Sequence, residues 1–350
     1  IASKIYDYSS YVYCAFVNYL PFLNAPFDQG GVSTPGNYKA GLIHQNTTWT
    51  LANSPYVVIG KVVVEAARML TIEPGVEIRF QSGGIEVDGA LSAAGTSSNR
   101  IVFTSNQATP VPGNWGGISF TSLSGYVPSV ITNCEFYYAT TALGFTNIST
   151  DYTMNVSSCL FDNISSDPIS VNNSQVNISG CTIQNFGSNG IIASGTNAKV
   201  EVNNSQITQV LQTRIRTATG IQGTNGAIMS LTGNAVSRCN WGIYAYSTTT
   251  NSSYIPVFNM SGSNIMDNNR GVYIYAYDGG DRSYPQITAT NNNIHSNVDK
   301  NIYVNRGADP RSTEFDFRNN WWGSSDGVTI ASKIYDYSSY VYCAFVNYLP

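Results

Sequence analysis

The chain has 350 residues, 11% of them charged, a formal net charge of −4, and is rich in Asn, Ser, Thr, Gly, Val, Ile and Tyr. This composition favours strands and turns over helices, and without a basic patch to neutralise phosphates nucleic acid is excluded as a partner. The longest apolar stretch, Pro55 to Leu70, is broken by Lys61, Glu65 and Arg68, so no membrane span is expected in this segment.

In chain order the first element is a repeat. Ile1 to Pro21 and Ile330 to Pro350 are identical, so the sequence carries one period of 329 residues, Ile1 to Ile330, and 21 residues of the next. No charged n-region followed by an apolar h-region opens the chain, so a signal peptide, if there is one, lies upstream of it. The organisation expected is an end of a preceding repeat over 1–21, a linker over 22–47, a β-solenoid over 48–325, and a cap or linker over 326–350.

The opening of that solenoid reads as strand-like runs punctuated by turn residues: Val57 to Ile59, Val62 to Val64, Leu70 to Ile72, Val76 to Phe80 and Ile101 to Phe103, with Gly60, Pro74-Gly75 and Gly83-Gly84 between them. About three coils fit here. From Met154 an eight-residue motif recurs: apolar, polar, apolar, polar, a small turn residue, then Cys, Asn or Ser, a variable residue and an apolar one. It reads MNVSSCLF at Met154, VNISGCTI at Val176, VEVNNSQI at Val200, MSLTGNAV at Met229, FNMSGSNI at Phe258, ITATNNNI at Ile287 and FDFRNNWW at Phe315, with a weaker copy, SVITNCEF, at Ser129.

The sixth positions are Cys134, Cys159, Cys181, Ser205, Asn234, Ser263, Asn292 and Asn320, with steps of 25, 22, 24, 29, 29, 29 and 28 residues. Loops vary while a cross-section is kept. A second apolar position follows at Leu143, Ile169, Ile191, Ile243, Val272 and Ile302, giving each coil at least two short strands. Alternation with a period of two sets positions one and three on one face, and strands this short bury that face only by stacking on neighbouring copies. The fifth position, always Gly, Asn or Ser, suits a left-handed bend. The sixth then points inward as a core ladder whose amides bond coil to coil. The fold expected is all-β, a right-handed parallel β-helix of about 11 coils. Between Asp326 and Tyr337 alternation is lost, and a short helix capped by Asp326 is expected there, closing the open end.

Several segments resemble a known family. LTIEPGVEIRF at Leu70, GGIEVDGALSAAGTSSNRIVFTS at Gly83 and PGNWGGISF at Pro112 look like the opening coils of the right-handed parallel β-helix repeat proteins of bacterial and archaeal cell surfaces, in the pectate-lyase-like superfamily. NNWWG at Asn319, followed by KIYDY and VNYLP, is similar to their closing coil. The resemblance implies a fold and a surface location, with no particular substrate.

Catalytic chemistry finds little support. Asp278, Asp281 and Arg282 in a DGGDR loop, with Asp309 and Arg311, are the catalytic candidates, but paired carboxylates must meet across one groove, and these read as solvated turn residues. His44 and His295 lie in unrelated contexts without zinc-ligand spacing. No enzyme activity, metal or cofactor is expected. Of six cysteines, Cys14 and Cys343 occupy one repeat position, leaving five per period, an odd number. Cys134, Cys159 and Cys181 read as reduced thiols filling one slot, and Cys14/Cys343 is the candidate for an intermolecular or cross-repeat link.

Nine N-x-S/T sequons occur. Asn155, Asn177 and Asn259 fall on the outward second position, and Asn46, Asn147, Asn163 and Asn251 in loops, making these seven the candidate glycosylation sites; Asn172 and Asn203 are set aside. The 24 tyrosines suggest either a sugar-binding row or stacking along a parallel sheet, and stacking is the plainer reading. The expectation is therefore a structural tandem-repeat glycoprotein of an extracellular filament or cell-surface layer, joined end to end to copies of itself, with surface glycans as further partners. A carbohydrate-binding adhesin is the alternative, and a polysaccharide lyase or hydrolase a more distant one.

Overall fold

A computed structural model describes residues 37–121, 129–210, 217–247, 251–276, 284–305 and 313–349. Cys14, Asp278, Asp281, Arg282, Asp309 and Arg311 lie outside the described residues. The protein is an all-β parallel β-solenoid with almost no helix. Strand order along the chain repeats a three-strand turn about nine times, slightly fewer than the eleven expected. Tyr56–Val64 is one nine-residue strand where two were expected, and near the close a single bridge, Asn293 to Trp321, stands where a strand would be.

The chain divides into two compact units, 1–165 and 166–350. In the first unit, the first-column strands are Thr47–Trp49, Met69–Ile72, Ala90–Ala94, Val130–Thr132 and Thr153–Ser157. The second column holds Glu77–Phe80, Ile101–Ser105, Cys134–Tyr137 and Leu160–Ile164, and the third Ile85–Val87, Ile118–Phe120 and Leu143–Thr146. Tyr56–Val64 bridges the last two columns: Tyr56 to Val58 pair with Ile78 to Phe80, and Val62 to Val64 with Ile85 to Val87. Gly60 bends the strand without ending it, because the backbone of Gly83 packs against it. A Cβ on Gly83, whose φ is +74°, would lie 2.9 Å from the Gly60 carbonyl carbon.

The second unit repeats the same scheme more regularly. Its first column runs Gln175–Ser179, Lys199–Asn203, Ile228–Thr232, Val257–Ser261, Gln286–Thr290, Glu314–Asp316 and Phe345–Asn347. Parallel register places Ile178, Val202, Leu231, Met260 and Ala289 in one file. All five are buried. The third column stacks Ile169, Ile191, Ile221, Ile243, Val272, Ile302 and Ile334 in another. Removing each Val, Leu, Ile or Met among them from water is worth about 1.5–3 kcal/mol; strands of two to seven residues gain it only because the next turn covers them.

The corners follow the sequence motif. Every fifth position, Asn133, Ser158, Gly180, Asn204, Gly233, Gly262, Asn291 and Asn319, has φ between +49° and +67°, the region in which short polar residues and glycine are tolerated. The chain turns there. At the close, Asp326 caps the helix Gly327–Ser332, its carboxylate accepting from the Thr329 N–H at 2.8 Å.

Candidate functional site

Three features stand out from the uniform solenoid: the sixth-position column, the outward aromatic face of the second unit, and the turn built by the repeated block.

In the second unit the column is a continuous hydrogen-bonded file. Ser205 Oγ accepts from the Cys181 N–H (3.1 Å), Asn234 Oδ1 from Ser205 N–H (3.0 Å), Ser263 Oγ from Asn234 N–H (3.1 Å), Asn292 Oδ1 from Ser263 N–H (3.0 Å) and Asn320 Oδ1 from Asn292 N–H (2.8 Å). The amides also donate back, Asn234 Nδ2 to Val202 O at 2.7 Å and Asn320 Nδ2 to Ala289 O at 2.8 Å. Asn320 is half-buried and the others fully so. The thiols sit in the same slot but bond more weakly. Cys134 Sγ donates to Thr132 O at 3.4 Å, Cys159 Sγ to Ser157 O at 3.2 Å and Cys181 Sγ to Ser179 O at 3.5 Å.

A parallel file, which the sequence reading missed, runs through the next corner. Asn268 Oδ1 accepts from the Cys239 N–H (3.0 Å), Asn297 Oδ1 from Asn268 N–H (3.0 Å), and Asn297 Nδ2 donates to Asn301 Oδ1 (3.0 Å). Its signal was in the sequence. Cys239, Asn268 and Asn297 each follow a sixth position by five residues.

Outside the third column of the second unit lies an aromatic ladder. Tyr244 stacks on Tyr273 with centroids 5.1 Å apart, Tyr303 on Tyr335 at 4.6 Å, and Tyr246 lies 5.2 Å from Tyr275. Arg270 sits over the Tyr303 ring at 3.7 Å and pairs with Asp299 at 2.8 Å. Burial raises the Tyr244 phenol well above its ordinary value and pushes Tyr273 up to about 12, against the lowering pull of Arg270. Stacked pairs alternate with edge-on contacts, Tyr273 to Tyr303 at 74°, an arrangement that suits sheet stabilisation better than a flat platform for a sugar.

The repeated block forms the last turn. Ile334–Tyr335 pairs with Ile302 and Tyr303, and Phe345–Asn347 with Glu314–Asp316. Between them Asp336, buried, accepts from the Val346 and Ser338 N–H groups, both at 3.0 Å, and holds the intervening loop. Lys333 Nζ donates to Asn297 O and Val298 O at 3.2 and 3.0 Å. Cys343 is fully buried here, and its thiol is pushed up to about 11 by burial first and by the Asp336 charge second. As folded, that sulfur faces the interior.

The candidate glycosylation sites spread over the surface. Asn46, Asn147, Asn155, Asn251 and Asn259 are exposed, and Asn163 and Asn177 half-buried. Asn46 Oδ1 accepts from the Met69 N–H, and Asn251 caps a single 3-10 turn. His44 is exposed; His295 is half-buried beside Ser296, with no acid in the bond. Among the described residues no group of three or more His, Cys, Asp or Glu could hold a metal, and no helix is long and apolar enough to cross a membrane. The first unit has a groove of about 1070 Å³ whose floor is glycine backbone, Gly83, Gly84 and Gly117 among it, with Trp115 at its side. Its one acid, Glu86, is paired with Lys61 at 2.7 Å.

A family model described as a pectate-lyase like beta helix domain matches residues 41–125. Protein bark beetle of Drosophila melanogaster is 32% identical over 114 residues, 29% of this chain. The chain spans 4% of that relative's own length. No solved structure matches the chain.

Proposed function

We propose that this protein is a structural tandem-repeat unit of an extracellular fibre or cell-surface layer, in which copies follow one another end to end, and that it is not an enzyme. One observation carries the reading: the 21-residue sequence that opens the chain is the sequence that, at its other end, folds as a turn of the solenoid. A second feature supports it. Seven of the thirteen large apolar side chains left exposed among the described residues, Trp321, Val328, Tyr340, Val341, Tyr342, Phe345 and Leu349, belong to this last part of the chain. An uncovered apolar cluster beside an open strand edge is a surface that a further turn would cover.

The same sheets that give a parallel stack its order supply stiffness along the axis, which is what a fibre needs. Negative-stain electron microscopy of native material is expected to show filaments or a lattice, and isolated globular particles would remove the reading. Denaturing electrophoresis is expected to distinguish one long polypeptide from separate subunits. Glycan occupancy at the exposed sequons is part of the same proposal, read by mass spectrometry before and after deglycosylation.

A further inference from the structure

The described residues that seat 330–350 are 297–305 and 313–317. Asn301 N–H donates to Lys333 O at 2.8 Å and Phe317 N–H to Asn347 O at 2.8 Å, while Phe345 N–H donates to Thr313 O at 3.3 Å. Tyr335 lies flat on Tyr303, and Lys333 is clamped by the carbonyls of residues 297 and 298. Residues 1–21 carry every group that makes these contacts: Lys4, Ile5, Tyr6, Asp7, Phe16, Val17 and Asn18 stand where Lys333, Ile334, Tyr335, Asp336, Phe345, Val346 and Asn347 stand in the second block.

We propose that this seat accepts residues 1–21 of a second copy in place of residues 330–350, so that copies join head to tail by exchange of one strand-bearing segment. The inference rests on the fibre reading and names its junction. Two segments of identical sequence have the same intrinsic affinity for the seat. The one attached nearby wins at low concentration, because tethering gives it an effective concentration in the millimolar range. Weakening the nearby copy therefore shifts occupancy to the distant one without altering the seat.

The test uses the full chain. Asp336→Ala removes the buried acceptor of the Val346 and Ser338 N–H groups from the second block and leaves Asp7 intact. Light scattering is expected to give a mass at least twice the 37.9 kDa of the single chain, rising with concentration. Asp7→Ala alone is expected to behave as the unaltered chain, and the double variant to stay a monomer. Should Asp336→Ala not fold, Tyr335→Ala, which removes only the ring stacked on Tyr303, takes its place with Tyr6→Ala as the partner substitution. A folded Asp336→Ala or Tyr335→Ala chain that stays monomeric at all concentrations overturns the proposal. Oligomers that persist in the double variant overturn it as well, while leaving the fibre reading standing; absence of filaments in native material sinks that reading instead.

Discussion

The two units solve the same packing problem with different side chains. In the first, interior rings pile face to face: Phe103 on Phe136 at 4.8 Å, Phe136 on Phe161 at 4.9 Å, Phe120 on Phe145 at 5.0 Å, and Phe80 on Trp115 at 3.9 Å. Cysteine fills the corner slot there. In the second, the corner slots are taken mostly by Ser and Asn bonded turn to turn, and the stacked rings lie outside. A parallel solenoid thus keeps register either by apolar stacking, which is non-directional, or by buried amides, which bond only at one offset. The second unit, with steps of 29, 29 and 29 residues from Ser205 to Asn292, is the more regular. Amide files impose a fixed turn; stacked rings tolerate a variable one, as the 38-residue step from Ser92 to its partner Val130 illustrates.

Substitutions sharpen this contrast. Phe136→Ala, which opens a hole between two stacked rings, is expected to cost about 3–5 kcal/mol in denaturant unfolding of the full chain, with amide exchange rising first in the neighbouring turns. Asn292→Ala leaves the Ser263 N–H buried without its acceptor and is expected to cost about 1–3 kcal/mol; Asn292→Ser, able to accept as Ser263 and Ser205 do, is expected to recover part of it. An equal loss for Ala and Ser would mean that the amide file contributes nothing beyond volume. The cap substitution Asp326→Ala is expected to cost about 0.5–2 kcal/mol, confined to exchange in the 327–332 helix.

Two pH effects are expected in the second unit. The phenol of Tyr273 is held above its unfolded value, so its contribution is fully present below about pH 10 and is lost as pH rises toward 12. The unfolding midpoint should fall over that window, and Tyr273→Phe should flatten the fall. Arg318 beside Asp316 holds that carboxyl at about 2. The sign is opposite: its contribution is present above about pH 4 and lost as pH falls toward 2. Because the pair is fully exposed, Asp316→Asn is expected to change the acid limb least of all.

Much of this architecture was legible in the sequence because the motif encodes two independent constraints. Alternation gave the inward files, and small residues such as Gly233 and Asn291 gave the left-handed corners. The parallel pairing of Ile178, Val202 and Leu231 followed from both. What escaped was the second amide file at Asn268, Asn297 and Asn301, since a polar residue five positions past the corner looks like a loop residue until the neighbouring turn supplies its partners. The continuity of Tyr56–Val64 escaped too: Gly60 reads as a stop, yet it permits a close approach of Gly83. The catalytic candidates gave no signal in the sequence beyond loop composition.

One property of the Ser205 to Asn292 stretch reaches beyond stability. Each of its turns presents one side-chain oxygen, an Asn amide or a Ser hydroxyl in alternation, to the backbone N–H of the turn before it, and consecutive turns have equal length. Excising one whole turn still leaves each corner N–H facing a side-chain oxygen, whereas losing half a turn breaks every file at once. The molecule is therefore able to lengthen or shorten in quantised steps, so that natural length variants should differ by multiples of one turn.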